Sequence, residues 1–383
     1  MHNNQRSLLY SIVMRELNSF KSRLSMNYTG IENIAPIQYD KTIYAVNHPS
    51  YIDIFLVLPS LDENIKNKNQ FGMPATDWIQ QKFPKLDYVK FFDKMGISFV
   101  GDNKEKNKTA LKKLEEQLID YGHIIIFPEG SIQRNGELRA GMYGTSVIAM
   151  NCSKKEDVLI QPIGLTYFDK PELQIKKKRH WWSFICDLWK IDELLLDYFI
   201  QAKQYYNIDI DINFGKPISV HKLLHETDSL DTASKRRYIT QKMMQNLGML
   251  TTINVNHLLA HYLFHNYNQN NFEYAKNTLY EDISNIALIA KEKGYHVKDQ
   301  FKSDKNLDQA LLLFEQKKIL IKNSNSGLEK YVIGDSNREY FETKPNANDE
   351  EFKNKNFLLY TSNQITHLPE IDGIIEHILE KKK

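Results

Sequence analysis

Short apolar runs alternate with helical patterns over residues 35–220, and this alternation limits the fold more than any other feature of the sequence. A helical apolar face lies between the second and third runs, and Gly122 marks its end. Strands that alternate with helices are typical of layered α/β domains. We therefore predict one such domain over this stretch, with strands at residues 43–46, 97–100, 124–127, 158–163 and 208–214.

The N-terminal segment, residues 1–34, has a different pattern. Apolar residues from Leu8 to Phe20 recur at helical spacing, and basic residues lie among them. This pattern predicts an amphipathic helix over about residues 1–30. Such a helix either packs on its own domain or lies on a membrane surface, and the sequence leaves both alternatives open.

Residues 221–383 are predicted to form an α-rich C-terminal domain with a small β-hairpin. A helix over residues 307–314 leads to a hairpin that pairs residues 319–321 with 331–333. A helix followed by a hairpin also occurs in DNA-binding modules, but no basic recognition face accompanies it here. The net charge of the chain is only +2. We therefore predict no nucleic-acid partner.

Composition argues against several other classes of protein. The chain has 2 cysteines, Cys152 and Cys186, which is too few for a disulfide framework and fits a reducing compartment. No apolar run reaches the roughly 18 residues that span a bilayer. Arg15 and Glu16 interrupt the apolar N-terminal stretch, so no signal-peptide core forms. We expect a cytoplasmic protein that is peripheral on the inner face of a membrane.

Residues 47–53 (NHPSYID) are the strongest candidate for chemistry. His48 and Asp53 lie where an apolar strand leads into an apolar helix. Pro49 and Ser50 indicate that the helix starts after the histidine, so the corner can fold His48 back onto Asp53. A carboxylate on one ring nitrogen leaves the other free to take a proton from an alcohol.

Two observations weaken the prediction from this motif alone. Ser50 and Asp53 ahead of an apolar run also form a capping-box-like helix start. In addition, residues 367–372 (HLPEID) repeat the spacing, proline included, and we predict no function for that second copy.

A sharp turn at the end of the third predicted strand is a second candidate. Residues 127–131 (FPEGS) place Glu129 between a proline and a glycine, at the strand end where open α/β sheets bind ligands. Arg134 and Arg139 follow in a polar loop. They are candidates to bind a phosphate, or they are simply solvated.

In these residues the sequence resembles the glycerolipid acyltransferase superfamily, which includes glycerol-3-phosphate and 1-acylglycerol-3-phosphate acyltransferases. Residues 48–53 (HPSYID) resemble its first block, N-H-x4-D, and the strand end at residues 214–218 (FGKPI) resembles the one that closes such domains. The other three blocks follow in the family's order: residues 96–100 (GISFV), residues 127–131 (FPEGS) with Arg134, Gly136, Leu138 and Gly144, and residues 158–163 (VLIQPI).

The resemblance implies a layered αβα acyltransferase domain with a mixed sheet over residues 35–220. It implies fatty acyl transfer from a thioester, acyl-CoA or acyl carrier protein, to a hydroxyl of glycerol 3-phosphate or its 1-acyl form, with no further cofactor and no metal. By resemblance, His48 is the general base and Asp53 orients it. Substrate binding would fall to Glu129, Gly130, Ser131 and Arg134.

The sequence also departs from the family pattern. Asp102 stands where the family usually carries an arginine, one of two arginines after the Glu-Gly pair is absent, and Met142 stands where a lysine is common. Those arginines are the family's usual phosphate ligands, and their absence weakens the case for a phosphate-bearing acceptor. A second hypothesis is therefore a lysophospholipid acyltransferase or a transacylase, which uses a different acceptor. A membrane-binding protein that has lost catalysis is a third.

Two further patterns bear on partners. Residues 176–182 (KKKRHWW) precede an apolar helical pattern, which fits either an anionic membrane surface or a helix that covers the sheet. His257, His261 and His265 recur at helical spacing, as metal ligands can. Because the sequence around them offers no carboxylate or cysteine to complete a set, we predict a surface helix there.

Overall fold

The computed structural model describes residues 8–22, 24–34, 41–50, 52–65, 71–76, 95–101, 103–167, 209–268, 272–298, 304–323, 329–334, 337–349 and 351–381. The chain forms two compact units. Unit 1 comprises residues 1–132 and 140–247, and unit 2 comprises residues 133–139 and 248–383. The domain boundary predicted at residue 220 stays a prediction.

Unit 1 is built on a mixed sheet. Its strands are β1 (Ser25–Thr29), β2 (Thr42–Val46), β5 (His123–Ile126), β6 (Leu159–Tyr167) and β7 (Asp209–Phe214), in the order β1-β7-β6-β2-β5, with β8 (Ile218–Ser219) beside β6. The pairs β1–β7, β6–β2 and β2–β5 are parallel, whereas β7 and β8 run antiparallel to β6. A parallel pair, β3 (Met73–Thr76) and β4 (Ile97–Val100), adjoins β5 through a bridge from Gly72 to Ile124.

Helices cover both faces of this sheet. The helices that begin in unit 1 are α1 (Leu8–Lys21), α2 (Asp53–Asn64), α3 (Lys104–Tyr121), α4 (Gly144–Cys152), α5 (Val220–Glu226) and α6 (Thr232–Gly248). All of β2 is buried. Tyr44 and Val46 join the apolar core of α1 and α2, whereas Ile43 and Ala45 join the core of α3 to α6. The alternation of strand side chains thus produces the three layers that were predicted.

The N-terminal segment differs from its prediction. The helix ends at Lys21, and Ser25–Thr29 form the edge strand β1. The helix predicted over about residues 1–30 is therefore too long. Alternating exposure along β1 shows why the sequence signal was weak, because only one face of this edge strand carries partly buried residues.

Unit 2 is α-rich, as predicted, with a small antiparallel sheet of order β10-β11-β9. Its elements are α7 (Val255–Asn268), β9 (Glu273–Ala275), α8 (Lys276–Glu292), α9 (Asp304–Gln316), β10 (Ile321–Asn323), β11 (Lys330–Val332), α10 (Glu339–Glu342), α11 (Phe352–Lys355), α12 (Phe357–Asn363) and α13 (Ile371–Glu380). The predicted hairpin is present, since Ile321 pairs with Val332, and β9 adds a third strand that the sequence did not indicate.

The predicted membrane-contact segment, residues 176–182 and the helical pattern after it, lies outside the described residues. Among the residues that are described, no helix has both the length and the apolar character needed to cross a bilayer.

Candidate active site

The candidate site lies at the carboxyl ends of three neighbouring strands of unit 1. His48 follows β2 by two residues, Glu129 follows β5 by three, and Tyr167 is the last residue of β6. Because β2 is parallel to both neighbours, these ends share one edge of the sheet. This is the edge at which open α/β sheets bind ligands.

His48 and Asp53 are hydrogen-bonded, as the motif predicts. Nδ1 of His48 lies 2.8 Å from Oδ2 of Asp53. The same oxygen accepts the backbone N–H of Ser50 at 2.8 Å, and the other carboxylate oxygen accepts the hydroxyl of Tyr167. Asp53 opens helix α2 and is 0% exposed. One carboxylate therefore holds both the backbone ahead of the helix and the imidazole, and the catalytic role of the pair stays a prediction.

The second nitrogen of His48 is available for chemistry. Because the Asp53 carboxylate accepts a hydrogen bond from Nδ1–H, Nε2 carries the lone pair of the neutral ring. Within the described ranges, Nε2 has no hydrogen-bond partner. The side chain is 20% exposed, and its ring stacks on Phe127 at a centroid distance of 4.2 Å. The arrangement is that of a general base which a bound hydroxyl can reach.

Two side chains fix the backbone that carries His48. The buried carboxylate of Glu129 accepts the backbone N–H of His48 through Oε1 at 2.8 Å. The amide of Asn47 exchanges two hydrogen bonds with the backbone of Leu165, at 3.0 and 2.6 Å. Asn47 thus continues the pairing of β2 with β6 by one residue through its side chain. Glu129 thus contacts the loop that carries His48, and its predicted role in substrate binding stays a prediction.

The turn that carries Glu129 is tight. Gly130 has φ of +69°, a conformation that residues with a Cβ rarely adopt. Its N–H donates to the carbonyl of Phe127 at 3.1 Å, and Pro128 accepts the N–H of Met142 at 2.7 Å. The Gly130 N–H is therefore used inside the turn and is not available as an oxyanion donor. Ser131 follows the turn, and its predicted role also remains untested.

Arg134 belongs to unit 2. Its Nη1 donates to the carbonyl of Asn348 at 2.8 Å, and Arg139 donates to the side chain of the same asparagine at 2.7 Å. The predicted role of Arg134 in acceptor binding stays a prediction. Asp102, where the family usually has arginine, lies outside the described residues.

The second copy of the motif does not fold like the first. His367 contacts Thr251 and the carbonyl of Gly248. Asp372 instead accepts from His261 and His265, which lower the pKa of its carboxyl to about 2. His367 and Asp372 thus have different partners, and the prediction of no function for this second copy stays a prediction.

The prediction of a surface helix for the histidine series is wrong. Helix α7 is mostly buried, and burial lowers the pKa of His257 to about 3. A carboxylate does meet His261 and His265, and it comes from Asp372, 107 residues after His265. The sequence near α7 held no sign of this contact.

Sequence reasoning also missed Tyr167. Its hydroxyl reaches Asp53 across 114 residues of chain. Tyr167 is the last residue of β6, which pairs with the strand before His48. The strand predicted from the sequence ended at residue 163, four residues earlier, so it did not include Tyr167.

A partly exposed imidazole, a buried carboxylate behind it and the edge of the sheet where ligands bind are the features that general-base catalysis on a hydroxyl requires. The family model described as Acyltransferase matches residues 25–166, which contain His48, Asp53 and Glu129 but not Tyr167. Residues 25–166 are therefore similar to the acyltransferase family, which agrees with the resemblance seen in the four sequence blocks.

The crystal structure of the 1-acyl-sn-glycerophosphate (LPA) acyltransferase PlsC from Thermotoga maritima is similar with 16% identity and a TM-score of 0.37. The match covers 61% of this chain and 78% of that one. No curated protein gives a significant sequence match.

Proposed function

We propose that this protein transfers a fatty acyl group from an acyl thioester to a hydroxyl of glycerol 3-phosphate or its 1-acyl form, in phospholipid biosynthesis. The proposal rests on the acyltransferase family and on one geometric observation. Nδ1 of His48 is held by the buried Asp53, while Nε2 is left for substrate.

The reaction needs one base and one acid in sequence, and one imidazole supplies both. Nε2 of His48 takes the proton of the acceptor hydroxyl as its oxygen attacks the thioester carbonyl carbon. The tetrahedral intermediate then collapses, the carbon–sulfur bond breaks, and the imidazolium returns its proton to the leaving thiolate. The products are an ester and a free thiol, and the base is regenerated.

General-base help is the main contribution this site has to make. An unactivated alcohol is a weak nucleophile, and a positioned base is worth roughly 10²–10⁴-fold in rate. The thioester carbonyl is already activated, so positioning and charge stabilisation supply the remainder. Asp53 stabilises the imidazolium that forms during attack, in the role that the aspartate has in Ser-His-Asp triads.

Glu129 serves this chemistry by positioning the loop that carries His48. Its carboxylate accepts the backbone N–H of His48 at 2.8 Å, so a hydrogen bond ties the turn after β5 to the loop after β2. In this proposal the turn of Gly130 and Ser131 lines the acceptor site, and the role of Arg134 as an acceptor ligand rests on the family resemblance alone. The donor is acyl-CoA or acyl carrier protein, and the enzyme works as a peripheral protein on the inner face of a membrane.

Replacement of His48 by alanine tests the proposal. We expect acyl transfer from a labelled thioester to fall by about 10²–10⁴-fold, because the alcohol loses its base. His225→Ala is the matched control, since His225 lies exposed on α5 of the same unit. A folded His48→Ala enzyme with most of its turnover would contradict the assignment.

The contacts of the loop arginines favour a second acceptor class. Arg134 and Arg139 both donate to Asn348. Arginines engaged in this way are less suited to a phosphate, which fits an uncharged or lysophospholipid acceptor. A panel of glycerol 3-phosphate, its 1-acyl form and several lysophospholipids separates the two. Highest kcat/KM with a lysophospholipid would overturn the glycerol-phosphate proposal but leave the role of His48 intact.

A further inference from the structure

A cluster of two histidines and one aspartate lies in unit 2, outside the candidate active site. His261 and His265 are one turn apart on α7, and Asp372 is in the first turn of α13. Nε2 of His261 lies 2.6 Å from Oδ1 of Asp372, and Nε2 of His265 lies 3.1 Å from the same oxygen. The three ligand atoms all lie within 4.8 Å of one another.

We propose that His261, His265 and Asp372 bind a divalent transition-metal ion of the zinc type, which ties helix α7 to helix α13. Two imidazoles and one carboxylate form a donor set that Zn²⁺ takes in proteins, with water in the fourth position. Histidines at i and i+4 of a helix present their rings on one face, which is the spacing needed for two ligands to one ion.

The distances fit an ion after a small adjustment. Tetrahedral Zn²⁺ with bonds of about 2.0–2.1 Å separates its ligand atoms by roughly 3.3 Å. The contact of His265 with Asp372 is 3.1 Å, so it already has nearly this length. The shorter distance, from Nε2 of His261 to Oδ1 of Asp372, has to lengthen by about 0.7 Å to reach this value. Asp372 can make this shift, because its side chain is 58% exposed.

Two side chains of the cluster are accessible to solvent, and the third is buried and hydrogen-bonded to a neighbouring helix. The side chains of His265 and Asp372 are 19% and 58% exposed, which gives an ion a path from water. His261 is buried, and its Nδ1 lies 2.8 Å from Oγ of Ser362 on α12. An outer partner of this kind fixes the tautomer and orientation of a ligand histidine.

The hydroxyl of Ser362 suits both states of the site. When no ion is bound, it can donate to Nδ1 of His261 while Nε2–H donates to Asp372. When an ion occupies Nε2, the proton moves to Nδ1 and the hydroxyl becomes the acceptor, because a hydroxyl serves in both roles.

Two other interpretations of this cluster are weaker. Ser362, His261 and Asp372 have the order of a catalytic triad, but Ser362 is only 3% exposed, and a buried hydroxyl is not accessible to a substrate. A plain ion-pair cluster usually recruits a lysine or arginine. In the described part of the chain, Asp372 pairs with histidines alone.

Zinc titration of the full-length protein, purified and stripped with a chelator, tests the proposal. Calorimetry should show one Zn²⁺ per chain, and Zn²⁺ should raise the midpoint of thermal unfolding, since an ion that binds only the folded state stabilises it. Co²⁺ in place of Zn²⁺ should give the visible absorption of a four-coordinate site. Mg²⁺, which prefers oxygen ligands, should do none of these.

Variants then locate the ion. Asp372→Asn and His265→Ala should weaken Zn²⁺ binding by at least about 100-fold, and Ser362→Ala by about 10–100-fold. Glu376→Gln is the matched control, because Glu376 is an exposed carboxylate one turn further along α13. Its affinity should equal that of the wild type.

Two results would overturn the proposal. One is a wild-type chain without saturable Zn²⁺ binding, which would make the cluster a hydrogen-bonded clamp between helices. The other is binding that survives in both Asp372→Asn and His265→Ala, which would place the ion elsewhere. Because Asp372 is exposed and His265 is partly exposed, both variants should still unfold cooperatively.

Discussion

The hydroxyl of Tyr167, at the end of β6, donates a hydrogen bond to Oδ1 of Asp53, the carboxylate that holds His48. Asp53 thus has three donors, from the ring of His48, the backbone of Ser50 and the phenol of Tyr167. Each donor restricts one direction of carboxylate movement, and the position of the imidazole follows from all three.

Tyr167→Phe should lower kcat by about 10-fold and leave KM nearly unchanged. A hydrogen bond to a charged group contributes about 1.5–3 kcal/mol to stability. Without this bond Asp53 holds His48 less firmly, and part of that energy is lost from transition-state stabilisation. Steady-state kinetics with a saturating thioester would show the loss in kcat. Tyr28→Phe, which removes a hydroxyl bonded to Ser60, is the matched control. Equal activity of both variants would rule out a positioning role for Tyr167.

Asp53→Asn should reduce acyl transfer by about 10²–10⁴-fold while the fold persists. An amide can donate to Nδ1 of His48, which places the ring proton on Nε2 and blocks proton uptake from the acceptor. Single-turnover assays with a labelled thioester measure the chemical step directly. Asp62→Asn, on the same helix α2 but outside the site, should retain full activity. A fast Asp53→Asn enzyme would show that the tautomer of His48 does not matter.

Gly130→Ala should destabilise unit 1 by about 1–2 kcal/mol, because φ of +69° is costly for a residue with a Cβ. An added Cβ would also lie 2.3 Å from Sδ of Met142, but that side chain is exposed and can move away. The double variant with Met142→Ala should therefore recover little stability. Gly373→Ala is the control, since its Cβ would meet nothing within 4 Å and it lies inside helix α13. Denaturant titration gives the free energy of unfolding of each of the three variants. Full recovery of stability in the double variant would identify the clash with Met142 as the cause.

The stability of the protein should fall between pH 6.5 and about pH 3 through His257. Burial lowers the pKa of His257 from 6.5 to about 3. Over this range the unfolded chain binds a proton that the folded chain does not, so the free energy of unfolding decreases as the pH falls. His367, which faces His257, acts in the same direction, because burial also lowers its pKa.

Denaturant titrations from pH 7 to pH 4 measure this slope, and His257→Asn should reduce it. The exposed His225→Ala should leave it unchanged. The ring C–H signal of His257 in NMR gives an independent measure, and it should stay constant down to about pH 4. Titration of that signal near pH 6.5 would contradict the prediction.

Local sequence was sufficient for much of the fold and for the central pair of the site. The predicted strands at residues 43–46, 97–100 and 124–127 agree with β2, β4 and β5 within one residue. Residues 43–46 and 124–127 are continuous apolar runs, which indicate burial without knowledge of their neighbours, and residues 97–100 contain one serine among three apolar residues. The edge strand β1 has only alternate partly buried residues, and it was mistaken for the end of a helix.

The two H-x4-D motifs show where local sequence stops being informative. His48 and Asp53 are hydrogen-bonded at 2.8 Å, whereas His367 and Asp372 have separate partners at the same spacing. A strand that leads into a helix brings the first pair together. The second histidine is held by Gly248 and Thr251, far from its own motif in the chain.

The sequence by itself determined the acyltransferase blocks, the α/β layers and the candidate base with its aspartate, because each depends on residues that are close along the chain. Only the tertiary structure decided that Tyr167 supports Asp53 and that Asp372 meets His261 and His265. Those contacts join residues 114, 111 and 107 positions apart. Their formation depends on strand order and helix packing, which are fixed by the burial of the whole core and not by any local pattern.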